Sequence, residues 1–278
     1  MKEFLVVHLV LMPQEPAREI LIALLNGEGY DSFEETEEGL RAYILIKDFK
    51  AEVLENLPYL QQEGITWSYT TEHLSAINWN EEWERNYQPV FVDNLLHIRA
   101  PFHPAKEGFK HEILIEPKMS FGTGHHQTTR LMATSMFRLN WQNEKVLDMG
   151  TGTGVLAILA EKMGAEKVLA VDNFDWAAEN TKENAQRNNC TKVEAKLGDA
   201  MLLEGLKFTS ILANINRNVL MEDMSVYAKT LSLGGKLIMS GFLIKDFDKI
   251  NDLALRLGFE LKDKLELQNW LCCYYQKL

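Results

Sequence analysis

The chain has 278 residues, 46% hydrophobic and 25% charged, a composition typical of a soluble protein with room for one large domain and a small one. No apolar run approaches the roughly 20 residues that cross a bilayer, which excludes a helical membrane protein. The net charge of −11 is unevenly placed: residues 1–72 carry fourteen Asp and Glu against five Lys and Arg, and the rest is nearly balanced.

An acidic surface repels phosphates, so no direct nucleic-acid partner is expected for the N-terminal part, whereas a lysine-rich protein suits it. The run Glu34-Glu35-Thr36-Glu37-Glu38 reads equally well as a solvated loop. The opening MKEFLVVHLVLMPQEP reads as a strand, because an acid interrupts it and no small-residue cleavage site follows. Cys190, Cys272 and Cys273 form no disulfide framework or C-x-x-C pair, so reduced thiols and a cytoplasmic location are expected. His125 and His126 are adjacent, poor spacing for two ligands on one helix face, and no metal site is expected.

Residues 1–72 alternate in a recognisable order. Phe4 to Leu11 is a strand, Pro16 to Leu25 a helix, Tyr30 to Glu34 and Leu40 to Ile46 two strands, Ala51 to Leu60 a helix, and Ile65 to Thr70 a last strand. That β-α-β-β-α-β order is the ferredoxin-like α+β unit. Over residues 73–90, Trp79, Trp83 and Tyr87 recur at i, i+4 and i+8, one stripe of a linker helix packed on a domain edge. Short strands are expected at Val90 to Val92, Leu95 to Arg99 and Glu112 to Ile115.

From residue 145 strands and helices alternate, predicting a mostly parallel sheet covered on both faces. Strands are expected at 145–149, 167–171, 193–197, 208–213 and 233–240, and helices at about 154–163, 175–188, 217–230 and 245–257. Phe259 to Leu267 and Trp270 to Gln276 then form a terminal antiparallel hairpin around Gln268-Asn269. An NAD-binding domain normally continues βα instead.

The first of these strands runs into Asp148-Met149-Gly150-Thr151-Gly152-Thr153-Gly154. Glycine has no Cβ, so such a turn lets backbone approach a ligand at a helix N-terminus. The second strand ends in Asp172, 22 residues beyond Gly150, where a carboxylate can accept from both hydroxyls of a ribose. The NAD fingerprint Gly-x-Gly-x-x-Gly is not met, since Val155 takes its sixth position. An Asp two residues before the first glycine is the form that binds S-adenosylmethionine. Asp199 follows the third strand and serves either the adenine edge or as a helix N-cap.

Three further stretches narrow the class: Glu116-Pro117-Lys118-Met119-Ser120-Phe121-Gly122-Thr123-Gly124-His125-His126-Gln127-Thr128-Thr129, Leu212-Ala213-Asn214-Ile215, and Asp172-Asn173-Phe174-Asp175 with Glu179-Asn180 and Asn184 beyond it. Phe-Gly-Thr-Gly-x-His-x-Thr-Thr ahead of the glycine loop, with Ala-Asn-Ile after the fourth strand, closely resembles the ribosomal protein L11 methyltransferases, over residues 73–278. The resemblance implies a class I Rossmann-like methyltransferase that uses S-adenosylmethionine to methylate lysine side chains and the N-terminal amine of L11. It divides the chain into a substrate-recognition domain at 1–72, a linker helix at 73–90 and the catalytic domain at 91–278. By motif match it assigns cofactor binding to Thr129, Gly150, Asp172 and Asn214, with Gly152, Gly154, Asp148 and Asp199 as secondary candidates. Glu116-Pro117-Lys118 stands where the family has Asp-Pro-Gly, and His125 replaces a small residue, departures that bear on the entrance to the site.

Methyl transfer needs little acid–base machinery, since the sulfonium is already activated and the enzyme must chiefly align an amine lone pair. No general base is named. Asn214 is a candidate to orient the amine through its carbonyl, and His125 and His126 are weaker candidates to take its proton. The Phe121 to Thr129 segment reads either as a mobile lid or as a turn capped by Thr128 or Thr129. A monomer is expected. The alternatives are a methyltransferase acting on another protein, on RNA or on a small molecule, and a non-catalytic nucleotide-binding module. The Asn-Pro-Pro-Tyr signature of many nucleic-acid N-methylating enzymes is absent, since Ile215-Asn216 follows Asn214.

Overall fold

The fold is described from a computed structural model, in which residues 4–62, 64–74, 87–116 and 126–278 are described. The chain divides into two compact units, Met1–Tyr87 and Gln88–Leu278.

The first unit contains strands β1 (Phe4–Met12), β2 (Tyr30–Glu35), β3 (Gly39–Leu45) and β4 (Thr66–Leu74), with helices α1 (Ala17–Gly27) and α2 (Ala51–Glu55). The strand order is β2-β3-β1-β4 and every pairing is antiparallel, the ferredoxin-like arrangement. Period-two alternation on β1 sends Leu5, Val7, Leu9 and Leu11 into a core with Leu21 and Leu25 of α1 and Leu54 of α2, as strand geometry requires. The opposite face carries a polar row. Arg41 donates to His8 Nδ1 at 3.3 Å and to Glu34 at 3.2 Å, and His8 Nε2 lies 3.1 Å from Glu72.

Two expectations need correction here. The helix expected from Ala51 to Leu60 stops at Glu55. Pro58 has no amide to donate and pushes Leu57 out of the helical region. The segment expected as a linker helix over 73–90 loses its ends to strands. β4 runs on to Leu74, paired with Phe4 of β1, and Val90 opens β5. Residues 75–86, with Trp79 and Trp83, lie outside the described residues.

The second unit is built on a seven-stranded sheet in the order β10-β9-β8-β11-β12-β14-β13. Its strands are β8 (Lys145–Met149), β9 (Lys167–Asp172), β10 (Val193–Leu197), β11 (Phe208–Asn214), β12 (Leu231–Leu243), β13 (Phe259–Leu267) and β14 (Trp270–Lys277). The first five are parallel, and β14 is antiparallel to both β12 and β13. Helices α3 (Gln127–Phe137), α4 (Val155–Lys162) and α5 (Asp175–Arg187) precede or connect the strands of the first half, and α6 (Arg217–Thr230) and α7 (Phe247–Arg256) those of the second.

Both faces are covered, so the central strands are apolar throughout rather than alternating. Val146, Val168 and Leu212 join the core that holds Leu131 of α3 and Ile158 of α4. Leu147, Leu169 and Ile211 join the other, with Leu220 of α6 and Ile250 of α7. A small sheet, β5 (Val90–Val92), β6 (Leu96–Arg99) and β7 (His111–Leu114), adds Val90, Ile98 and Ile113 to the first core. Strand order reverses between β8 and β11, and open α/β sheets bind ligands outside the carboxyl ends of the strands at such a point.

The β13–β14 hairpin closes through Gln268 (φ 50°) and Asn269 (φ 68°), both in the left-handed region that a two-residue type I′ turn demands. Asn tolerates this conformation and Gln does so poorly. Gln268→Asn should therefore raise stability by about 1 kcal/mol and the melting temperature by about 2–4 °C, although the exposed Gln127–Gln268 hydrogen bond is lost. A calorimetric scan checks this; an unchanged or lower transition counts against the turn as described.

Candidate active site

Three strand ends lie together beside the reversal point, Asp148 near the end of β8, Asp172 closing β9 and Asn214 closing β11, while Asp199 follows the edge strand β10. The glycine turn leaves β8 with Gly150, Gly152 and Gly154 at φ 71°, 58° and 83°, a conformation that costs any residue with a Cβ. Gly154 is also needed for packing. A Cβ there would lie 2.8 Å from Thr181 Cγ2 of α5, whose hydroxyl donates to the Gly152 carbonyl at 3.0 Å.

The turn is held from both sides by carboxylates. Asp172, 7% exposed, accepts from the Gly152 amide at 2.9 Å with one oxygen and from the Phe174 amide at 3.1 Å with the other. A carboxylate has about four acceptor positions, so two remain on Asp172. Asp148 is fully buried, and its Oδ2 accepts from the Thr151 hydroxyl at 2.7 Å and the Ala157 amide at 3.1 Å. It braces the loop and the first turn of α4. The Gly150 and Thr151 amides donate to the Val171 carbonyl, and the Gly154 amide to that of Thr151. Amide donation to a ligand, the simplest expectation for a glycine turn, is thus closed at these positions.

Thr129 and Asn214 lie side by side. Thr129 is 2% exposed on the first turn of α3, and Asn214 Nδ2 donates to its hydroxyl at 3.4 Å. Asn214 Oδ1 is buried and has no hydrogen-bond partner among the described residues. A buried acceptor left unpaired costs about 1–3 kcal/mol, a cost that an N–H donor from a ligand would remove.

The structure separates other candidates from this cluster. Asp199 caps the short 3₁₀ turn Ala200–Leu203, accepting from the Met201 amide at 2.8 Å. His126, rather than Thr128 or Thr129, caps α3: its Nδ1 accepts from the Thr128 amide at 3.3 Å and lies 2.8 Å from the Thr128 hydroxyl. Its ring meets Trp270 edge-on at 4.7 Å. With Nδ1 committed as acceptor, His126 is a poor proton acceptor for a substrate. Phe121–His125 lie outside the described residues.

The chain entering that segment is anchored by α5. Asn184 Oδ1 accepts from the Glu116 amide at 2.9 Å, Asn188 exchanges two hydrogen bonds with the Leu114 backbone, and Asn184 Nδ2 also donates to the Thr153 carbonyl at 2.9 Å. Asn184 therefore ties the loop before α3 to the glycine turn. No local pattern in the sequence assigns Asn180 or Asn184 a role, because the contacts join segments far apart in the chain. Sequence reasoning also passed over Phe174 (54% exposed) and Met201 (84% exposed). These apolar side chains stand exposed at the ligand edge beside Asp172 and Asp199, and their exposure is visible only in the fold.

Burial pushes the Asp148 carboxyl up to about 7, with the nearby Asp172 charge adding to the rise and the Thr151 and Ala157 hydrogen bonds opposing it. In the unfolded chain the same group titrates near 3.9. Between about pH 4 and pH 7 the folded protein thus holds a proton the unfolded chain has released, and this group's contribution to stability falls as pH rises. Asp148→Asn removes the titration. Its melting temperature relative to the unaltered protein should climb from about pH 4 to pH 7 and level off above; a constant difference across that range would contradict the assignment.

The family pattern described as Ribosomal protein L11 methyltransferase (PrmA) matches residues 19–278. A ribosomal protein L11 methyltransferase of Porphyromonas gingivalis is 42% identical over 259 residues, spanning 92% of this chain and 89% of that protein. One of Chlorobaculum parvum is 37% identical, over 91% of this chain and 90% of that protein. The crystal structure of a ribosomal protein L11 methylase from Lactobacillus delbrueckii subsp. bulgaricus superposes with a TM-score of 0.63 at 28% identity, over 69% of this chain and all of that one. With the family pattern matching residues 19–278 and relatives 37–42% identical over nine-tenths of the chain, the chain belongs to the ribosomal protein L11 methyltransferase family.

Proposed function

We propose that the protein uses S-adenosylmethionine to methylate amino groups of ribosomal protein L11, lysine side chains and the N-terminal amine, in the cytoplasm. The unpaired Asn214 oxygen beside Thr129 carries this reading, because it is a buried acceptor placed at the ligand edge of the sheet and suited to an amine N–H. The acceptor sets fit the cofactor. Two free positions on Asp172 suit the ribose hydroxyls, and the glycine turn sets backbone rather than side chains at the carboxyl edge of the sheet. The Thr129 hydroxyl suits the methionyl carboxylate.

When bound, S-adenosylmethionine supplies a methyl group already activated on a positive sulfur. The protein's own work is then alignment. Asn214 accepts from the incoming amine and turns its lone pair inward, while the two cores behind β8 and β11 hold the strand ends still. A lysine ammonium titrates near 10.4 in water and must lose a proton before it can react. His126 is committed to its helix cap, so we assign the proton to solvent rather than to a side chain. The three cysteines are buried and unpaired, which supports a reducing compartment.

Asp172→Asn keeps the shape of the side chain but removes its charge. It should weaken S-adenosylmethionine binding about ten- to a hundredfold and lower the melting temperature, since both the Gly152 and Phe174 amides lose a charged acceptor and one of them loses its acceptor altogether. Isothermal titration reads the affinity; an unchanged value in a folded variant would place the nucleotide elsewhere.

Residues 1–72 are proposed to recruit the substrate. The acidic run is not wholly a loop: Glu34 and Glu35 end β2, and Glu34 is bonded to Arg41 and Tyr43. Glu37 and Glu38 lie in the following turn, and all four side chains are exposed. Exposed charges are screened over about 8–10 Å at physiological ionic strength. Methylation of L11 should therefore fall as salt rises, and changing Glu34, Glu35, Glu37 and Glu38 together to Gln should flatten that slope while leaving S-adenosylmethionine affinity unaltered. Identical slopes in the two proteins would leave the acidic run as solvated surface.

A further inference from the structure

The residue after Asn214 is gripped on two sides by glycines. Ile215 lies between the end of β11 and Asn216, which caps α6 by accepting from the Asn218 and Val219 amides at 3.1 and 3.2 Å. A Cβ on Gly150 would fall on Ile215 Cγ2, so the branch of Ile215 fills the place a side chain on the first loop glycine would take. On the other side, a Cβ on Gly241 would fall on the Ile215 carbonyl oxygen, with the carbonyl carbon at 2.7 Å and the amide nitrogen at 3.0 Å.

Gly241 has φ 95° and lies where the β12–β14 register shifts between Met239 and Phe242. Glycine-bearing bulges of this kind re-aim backbone beside functional sites. Here the bulge opens room for the Ile215 peptide. The side chain therefore rests on the glycine turn, and the peptide is fixed by β12 and by the α6 cap. Asn214, one residue upstream, inherits that position.

We infer that Ile215 is a positioning residue. Its β-branch, seated on Gly150, sets the distance between the glycine turn that holds the methyl donor and the Asn214 oxygen that orients the amine. The inference rests on the reading of Asn214 and of the glycine turn given above. A β-branched side chain is stiff about χ1, which suits a spacer. Transfer between two bound groups is sensitive to spacing, a shift of about 1 Å costing on the order of a hundredfold in rate.

Three variants separate this role from simple filling of volume. Ile215→Val keeps the branch that meets Gly150, Ile215→Leu keeps the volume but moves the branch one carbon outward, and Ile215→Ala removes it. For each, kcat and KM with purified ribosomal protein L11, S-adenosylmethionine affinity by titration and melting temperature are measured. Ile215→Val should retain at least about half of kcat. Ile215→Leu and Ile215→Ala should lose about tenfold or more in kcat, with KM and cofactor affinity within about threefold of the unaltered protein. A volume-filling residue predicts the opposite ranking, since an isomeric swap is tolerated best, so Leu matching or exceeding Val overturns the inference. Losses confined to cofactor affinity overturn it too, because they make Ile215 a wall of the cofactor pocket. If the unaltered protein binds no S-adenosylmethionine, the underlying reading fails first, and that is visible before any variant is compared.

Discussion

Asp172 closes β9 and, through its two oxygens, holds the Gly152 amide of one turn and the Phe174 amide of the next. The glycine turn and the start of α5 are thereby set against a single carboxylate at the carboxyl edge of the sheet. Much of the site follows from that constraint. With Gly152 fixed, Thr181 can reach its carbonyl from α5 and Asn184 can reach that of Thr153. With α5 fixed, Asn184 and Asn188 hold the chain from β7 toward the segment before α3. Asp148 supports the same turn from beneath, at the cost of burying a carboxyl in a place that favours its protonated form.

The opposite half of the site is built differently. Around Asn214 close backbone approaches take the place of a bracing carboxylate. Ile215 is packed between Gly150 and Gly241, Asn216 caps α6, and Asn214 keeps one buried oxygen unpaired among the described residues. A rigid frame with a single open acceptor fits a reaction in which orientation, rather than proton transfer, is the protein's main contribution. It also accounts for the absence of a convincing base among the described residues, where the one histidine near the glycine-rich motif serves as a helix cap.

Much of this was legible in the sequence. Strands β8, β9 and β11 follow apolar runs buried on both faces, β13 alternates, and the boundaries of β8 to β14 fall within a residue or three of those read from the pattern. The ferredoxin-like order was readable from period-two and helical stretches, except where Pro58 ended α2 early and where β4 extended along β1. The motif carried Asp172, Thr129 and Asn214 to one edge of the sheet. What stayed hidden depends on contacts between distant segments. The Gly150–Ile215–Gly241 packing joins β8, β11 and β12, and the cap on α3 comes from an uncommon capping residue. The engagement of the loop amides with Val171 and Asp172 likewise joins segments about twenty residues apart.

The central claim is that this edge of the sheet aligns an amine with a methyl donor. Incubating the protein with purified ribosomal protein L11 and S-adenosylmethionine carrying a labelled methyl group, then mapping the label by mass spectrometry of L11 peptides, tests it directly. The account predicts label on lysine side chains and on the N-terminal amine, abolished by Asp172→Asn at cofactor concentrations that saturate only the unaltered protein. Label on oxygen or carbon, or no label in L11 while the cofactor is bound, would contradict it.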